Sequence, residues 1–299
     1  MDLKEKKEKA NVIRNRDRFG TMSSEELAAL PGSEQVLQIP CEDHTVTVYA
    51  ITPDTELKHP SPLLINFHGG GFIKVRGDRD KRYCSCLAQD LNCIIWDVDY
   101  SVAPEHPFPA AVNEAYAVCA YAFEHAEEYG FDKTRISIAG HSAGGTLTAA
   151  TLINAQRKKE FTFRSALMEY FPSDFKRDPA SKLTPKLAAD PWRIRRAQTE
   201  AEYTTFYLSS EEDMDNPLCC PMFASDEEFA GFPECLVISA GTDTLVNEVD
   251  DFTKKLIENG VTVTAKRIPE AMHGFTVNRT DGWERAVALH VSFFRHSFE

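Results

Sequence analysis

Gly140-His141-Ser142-Ala143-Gly144 sets a serine in a G-x-S-x-G frame. A short apolar run, Ile136 to Ala139, leads into it, and a helix-forming stretch, Thr146 to Gln156, leads out. A serine at such a strand-to-helix turn sits on a sharp, strained bend with its hydroxyl exposed, which suits a nucleophile. The flanking glycines, Gly144 among them, are needed because the bend brings backbones too close for a Cβ. The helix start also aims free N–H groups at the reacting centre. A second run, residues 63–67, ends in His68-Gly69-Gly70-Gly71. Three successive glycines let a loop fold with its N–H groups facing a cavity, and acyl transfer needs such donors where a carbonyl oxygen becomes negative. Gly69, Gly70 and Ala143 are the expected donors. His68 is expected to brace the loop, with Gly71 shaping it.

A serine nucleophile needs a base, and the base needs an orienting carboxylate. Asp243 follows the run Cys235 to Ser239 through Ala240-Gly241-Thr242. His273 follows a run at 261–268 and precedes Gly274-Phe275. The order Ser, Asp, His matches a nucleophile elbow on an α/β sheet. Glu248 is the alternative carboxylate; its other reading is a helix-start acid stabilised by the helix dipole. His141 adjoins the serine, but neighbouring side chains diverge at an elbow, so a packing or hydrogen-bonding role is expected.

These residues need a frame. Alternating runs at 34–40 and 44–51 predict an antiparallel hairpin. The runs at 63–67, 93–98, 136–139 and 235–239 are almost wholly apolar, as in parallel strands buried on both faces. Helical patterns at 79–91, 110–129, 143–158 and 247–259 alternate with them, and a last helix spans 282–298. The fold class is therefore α/β, with a mostly parallel twisted sheet flanked by helices. Roughly sixty residues separate a strand at 164–170 from the one at 235, whereas a crossover needs about thirty. The excess includes Asp190-Pro191-Trp192, a helix start with proline in the first turn. Residues 172–222 are expected to lie as an insertion over one end of the sheet. One or two polar surface helices are expected before residue 32.

Composition narrows the function classes. The 299 residues carry 33 Lys and Arg against 46 Asp and Glu, a formal charge of −13. That balance argues against nucleic acid and anionic membranes as partners. No apolar run approaches a membrane span. The first residues carry charge without an apolar signal region, so a cytoplasmic location is expected. Eight scattered cysteines form no C-x-x-C pair and no zinc set, which predicts reduced thiols, and a serine nucleophile with a histidine base requires no metal or organic cofactor. Arg76-Gly77-Asp78 reads as a polar loop, Cys84 and Cys86 as packing residues, and the lysines between 4 and 9 as a solvated helix face.

Taken together, the motifs resemble the hormone-sensitive-lipase family of α/β-hydrolases, in its bacterial acetyl- and carboxylesterase branch. Besides the elbow and the glycine loop, the likeness rests on Asp99-Tyr100, Ala103-Pro104-Glu105-His106-Pro107, Asp243-Thr244-Leu245 and His273-Gly274-Phe275. It implies Ser142 as nucleophile, His273 as base, Asp243 as orienter, and an oxyanion hole from Gly69, Gly70 and Ala143. The implied reaction is hydrolysis of small short-acyl esters. The resemblance also implies a catalytic domain over 33–171 and 223–299, a helical cap over 1–32 and 172–222, and homodimers through the last strand and helix. Two positions depart from the family: His141 stands where an aspartate is usual, and Asn247-Glu248 where Asp-Glu is usual. Alternatives are an arylformamidase-type amidase with the same triad and a non-catalytic small-ligand receptor, although such receptors lack the base histidine.

Overall fold

The computed structural model describes residues 2–16 and 21–299, so residues 1 and 17–20 of the expected N-terminal cap segment lie outside it. Eight strands form one sheet: β1 (Ser33–Cys41), β2 (His44–Thr52), β3 (Ser61–Phe67), β4 (Ile94–Asp99), β5 (Phe131–His141), β6 (Ser165–Glu169), β7 (Glu234–Ala240) and β8 (Val263–Ile268). Their order is β1-β2-β4-β3-β5-β6-β7-β8. The β1–β2 and β2–β4 pairs are antiparallel, and every other pair is parallel. The twelve α-helices of the described residues are α1 (Leu3–Arg16), α2 (Ser24–Ala28), α3 (Asp78–Leu91), α4 (Ala110–Glu124), α5 (Ala126–Tyr129), α6 (Ala143–Lys158), α7 (Pro185–Ala188), α8 (Pro191–Tyr207), α9 (Asp226–Ala230), α10 (Val246–Glu258), α11 (Phe275–Asn278) and α12 (Trp283–Phe298).

The apolar strands are buried because helices cover both faces of the sheet. Leu63, Ile65 and Phe67 of β3 pack toward α4, α6 and α10. Leu64, with Ile95 and Leu167, packs on the opposite face with Leu87 of α3 and Phe294 of α12. Alternate residues of one strand thus feed two separate cores, which is why a strand in the middle of the sheet needs no polar side. The 110–129 pattern splits into α4 and α5 at His125. All eight cysteines are free thiols, and only Cys86 is not buried.

Parallel strands place their C-terminal ends along one edge, where an α/β sheet presents its loops. His68 follows β3, Ser142 follows β5, Asp243 follows β7 and His273 follows β8. Side chains from the 172–222 stretch reach this edge. Asp190 caps α8 by accepting the Trp192 N–H, with Pro191 in the first turn. From α8, Arg193 donates to the Thr242 carbonyl beside Asp243, and Tyr207 stacks on Phe72 at 3.8 Å. From α1, Ala10 packs with Ile73, Ala103 and Phe206, and Arg14 donates to the Ile73 and Ala103 carbonyls and to Glu105.

Candidate active site

Ser142 has φ 55° and ψ −125°, backbone that a residue with a Cβ adopts only under constraint. The constraint is visible in its neighbours. A Cβ on Gly140 would lie 2.2 Å from the Gly144 carbonyl oxygen, and one on Gly144 would lie 1.9 Å from the Phe67 oxygen. The elbow is therefore pressed against the end of β3, from which the glycine loop departs. The Ser142 N–H donates to the carbonyl of Glu169 at the end of β6.

Ser142 Oγ lies 2.8 Å from His273 Nε2, and His273 Nδ1 lies 2.8 Å from Asp243 Oδ2. Asp243 is buried and also takes the Thr244 hydroxyl. A buried carboxylate on Nδ1 fixes the ring with hydrogen at Nδ1 and the lone pair at Nε2, toward the serine. His273 itself is held by a T-shaped contact with Tyr170, centroids 5.2 Å apart.

The glycine loop faces this chain. A Cβ on Gly69 would come 3.3 Å from the Ser142 Cβ. Among the described residues, the loop's backbone bonds do not use the N–H groups of Gly69 and Gly70. Ala143 opens α6, so its N–H has no acceptor within the helix. Gly71, at φ 61°, meets the Tyr203 ring of α8, which a Cβ would approach to 3.0 Å.

His68 is wholly buried, its Nδ1 2.9 Å from the Gly69 carbonyl oxygen and its ring stacked on Tyr100. Tyr100 donates to the His68 carbonyl at 2.7 Å. Burial works against a charged His68. The Asp99 carboxylate, 3.6 Å from Nε2, and the charges of Asp80 and Asp97 outweigh it, and the imidazole pKa is raised. Arg76 anchors the rest of the loop to Asp97 and Glu34. Its side chain is 8% exposed, so Arg76-Gly77-Asp78 is a structural corner and not a presented tripeptide.

His141 points away from the serine. It is buried, with Nε2 3.8 Å from Asp80 Oδ1 and its ring against Tyr83. Glu248 does not join the His273 chain. It opens α10, accepts the N–H groups of Ser173 and Asp174, and pairs with Lys182 at 2.7 Å. The structure therefore brings Ser142, His273, Asp243, Gly69, Gly70 and Ala143 to one place, with His68 and Gly71 in the adjoining loop. It sets His141 and Glu248 behind that place. Sequence reasoning missed Asp80, Tyr100 and Tyr170 as the side chains that support the site. Of these, only Tyr100 carried a signal, through the Asp99-Tyr100 motif.

Comparison with known proteins fits this geometry. A family profile described as alpha/beta hydrolase fold matches residues 64–277. The chain belongs to this α/β-hydrolase family, in the hormone-sensitive-lipase branch. An arylesterase of Saccharolobus solfataricus is 27% identical to this hydrolase over 82% of its chain and 77% of the relative. An acetyl esterase of Salmonella dublin is 29% identical over 79% of this chain and 70% of the relative. An esterase structure from Pyrobaculum calidifontis superposes with a TM-score of 0.83 at 25% identity, covering 99% of this chain and 94% of that one. No helix of the described residues is long and apolar enough to cross a membrane.

Proposed function

We propose that this α/β-hydrolase cleaves small, short-acyl carboxylic esters through an acyl-enzyme on Ser142. The observation that carries the reading is the hydrogen-bonded chain Ser142–His273–Asp243, with 2.8 Å at both links. Ser142 Oγ attacks the ester carbonyl carbon while His273 Nε2 takes its proton. The oxyanion that forms is held by the N–H groups of Gly69, Gly70 and Ala143. Asp243 stabilises the imidazolium without taking its proton. The C–O bond to the alcohol then breaks, and the alcohol leaves with the proton from His273. Water, deprotonated by His273, attacks the acyl carbon; the bond to Ser142 Oγ breaks, Oγ takes that proton back from His273, and the carboxylic acid is released. The esterase names of the relatives support the same chemistry.

Short acyl groups are proposed because the glycine loop is overhung. Tyr203 meets Gly71, and Tyr207 stacks on Phe72 beside it. The segments 1–32 and 172–222 act in this reading as a cap over the catalytic residues of 33–171 and 223–299. The proposal extends to a cytoplasmic enzyme that pairs through β8 and α12, and sedimentation at micromolar concentration tests the pairing.

The deciding experiment measures hydrolysis of p-nitrophenyl esters from acetate to laurate. Ser142→Ala and His273→Ala run in parallel, and a formyl anilide stands beside the matching acetyl ester. Turnover confined to the short esters and absent in both variants is expected. Faster cleavage of the anilide would assign an amidase instead, and undiminished turnover by Ser142→Ala would remove the mechanism.

A further inference from the structure

A second hydrogen-bonded chain lies behind the first and has no part in the chemistry described above. Glu169, the last residue of β6, and His290, in the middle of α12, are both fully buried. Glu169 Oε1 accepts from the Thr276 hydroxyl at 3.1 Å and lies 3.0 Å from His290 Nε2. His290 Nδ1 lies 3.1 Å from the Tyr83 hydroxyl of α3. With the ring hydrogen on Nε2 facing the Glu169 carboxylate, Nδ1 is the acceptor for the Tyr83 hydroxyl.

The two ends of Glu169 reach the two halves of the active site. Its main-chain carbonyl accepts the N–H of Ser142 at 2.9 Å. Its side chain holds Thr276, three residues after His273 and inside the four-residue α11. The elbow comes from the end of β5 and the base from the loop after β8, so no single element fixes their separation. Removing a buried carboxylate, imidazole or hydroxyl from such a chain leaves its partners buried and unsatisfied.

We infer that Glu169, held by His290 and Tyr83, is the positioning residue that sets the distance between Ser142 and His273, acting on the base through Thr276. None of these residues touches substrate. They act by keeping His273 Nε2 within hydrogen-bond reach of Ser142 Oγ, a distance to which the rate is steeply sensitive. The inference rests on Ser142 and His273 being nucleophile and base.

The test compares Thr276→Val, Thr276→Ser and His290→Gln with the parent enzyme. Active sites are counted by stoichiometric release of p-nitrophenolate from paraoxon, so that kcat refers to assembled sites and not to total protein. Thr276→Val is expected to lower kcat per titrated site about tenfold with KM within twofold. Thr276→Ser, which keeps the hydroxyl, is expected to retain at least half of the parent kcat. His290→Gln is expected to move in the direction of Thr276→Val, and if it does not fold, the two Thr276 variants decide. Unchanged kcat per titrated site with a lowered melting temperature would make the chain purely structural and overturn the inference. A rise in KM with kcat kept would overturn it as well. Failure of the parent enzyme to react with paraoxon would instead count against the nucleophile assignment, which separates the two claims.

Discussion

Ser142 Oγ and His273 Nε2 are 2.8 Å apart although 131 residues separate them in the chain. The serine is held there at φ 55° by an elbow wedged against β3. The strain and the nucleophile's position are the same structural fact, so stability and activity should part at this residue. Ser142→Gly is expected to remove nearly all turnover, a loss of at least about 10³-fold. It should also raise stability by about 1 kcal/mol, because glycine relieves the strained backbone at only a partial cost in unfolded-state entropy. Melting temperature and ester turnover measured on the same preparation check this. A melting point below that of Ser142→Ala would contradict it.

Asp243 and Glu248 should behave oppositely. Asp243→Asn leaves the buried contact but allows the wrong imidazole tautomer, so kcat should fall about 10⁴-fold with little change in melting temperature. Glu248 neutralises buried Lys182 and takes two N–H groups at the start of the 172–222 segment. Glu248→Ala strips a buried pair of one partner and should cost about 3–5 kcal/mol. Its surviving folded fraction should keep kcat within tenfold of the parent. Urea titration and kinetics on both variants check the pair, and a catalytic collapse of Glu248→Ala at full stability would reverse the assignment.

Much of this site was legible because its signals are local. The elbow and the glycine loop each occupy five residues or fewer, and each follows a buried strand whose apolar run announces it. What lies behind the site was not legible. Asp80 meets His141, and Glu169 meets His290 and Thr276, only because α3, β6, α11 and α12 converge at one end of the sheet. A four-residue helix such as α11 has too little length to show a period. The antiparallel β2–β4 pairing was invisible for a related reason. Thr47 and Asp99 are partners in that ladder, and a hairpin's alternation does not say which strand its outer edge will meet.

Gly144 should tolerate no side chain. Its missing Cβ stands 1.9 Å from the Phe67 oxygen and 2.7 Å from the His68 oxygen, both backbone atoms. Gly144→Ala must push the elbow away from the strand that carries the glycine loop. The expected result is a melting temperature lowered by about 5 °C or more, at roughly 2–4 °C per kcal/mol for a large domain. Activity per folded molecule should fall at least tenfold, because the Ala143 N–H moves relative to Gly69 and Gly70. Circular dichroism melts with kinetics on the folded fraction check this, and a variant with parent-like values for both would refute it.

The pH dependence of stability should carry the signature of His68. Its pKa is raised in the folded protein, chiefly by Asp99 and by the charges of Asp80 and Asp97 acting against burial. Protonation therefore stabilises the folded state. The contribution is fully present below the unfolded value of about 6.5 and is lost as pH rises through the raised folded value. Asp99 has the opposite sign. Its pKa is lowered by His68 and by the Arg76 N–H against the cost of burial. Its contribution is present above about 3.9 and is lost as pH falls through the lowered folded value. The pair should therefore stabilise most between about pH 4 and 6.5. Urea midpoints of the parent and of His68→Gln are expected to differ more at pH 5.5 than at pH 8.5. A difference that is constant, or larger at pH 8.5, would mean that His68 is held neutral and braces the glycine loop through Tyr100 and the Gly69 carbonyl alone.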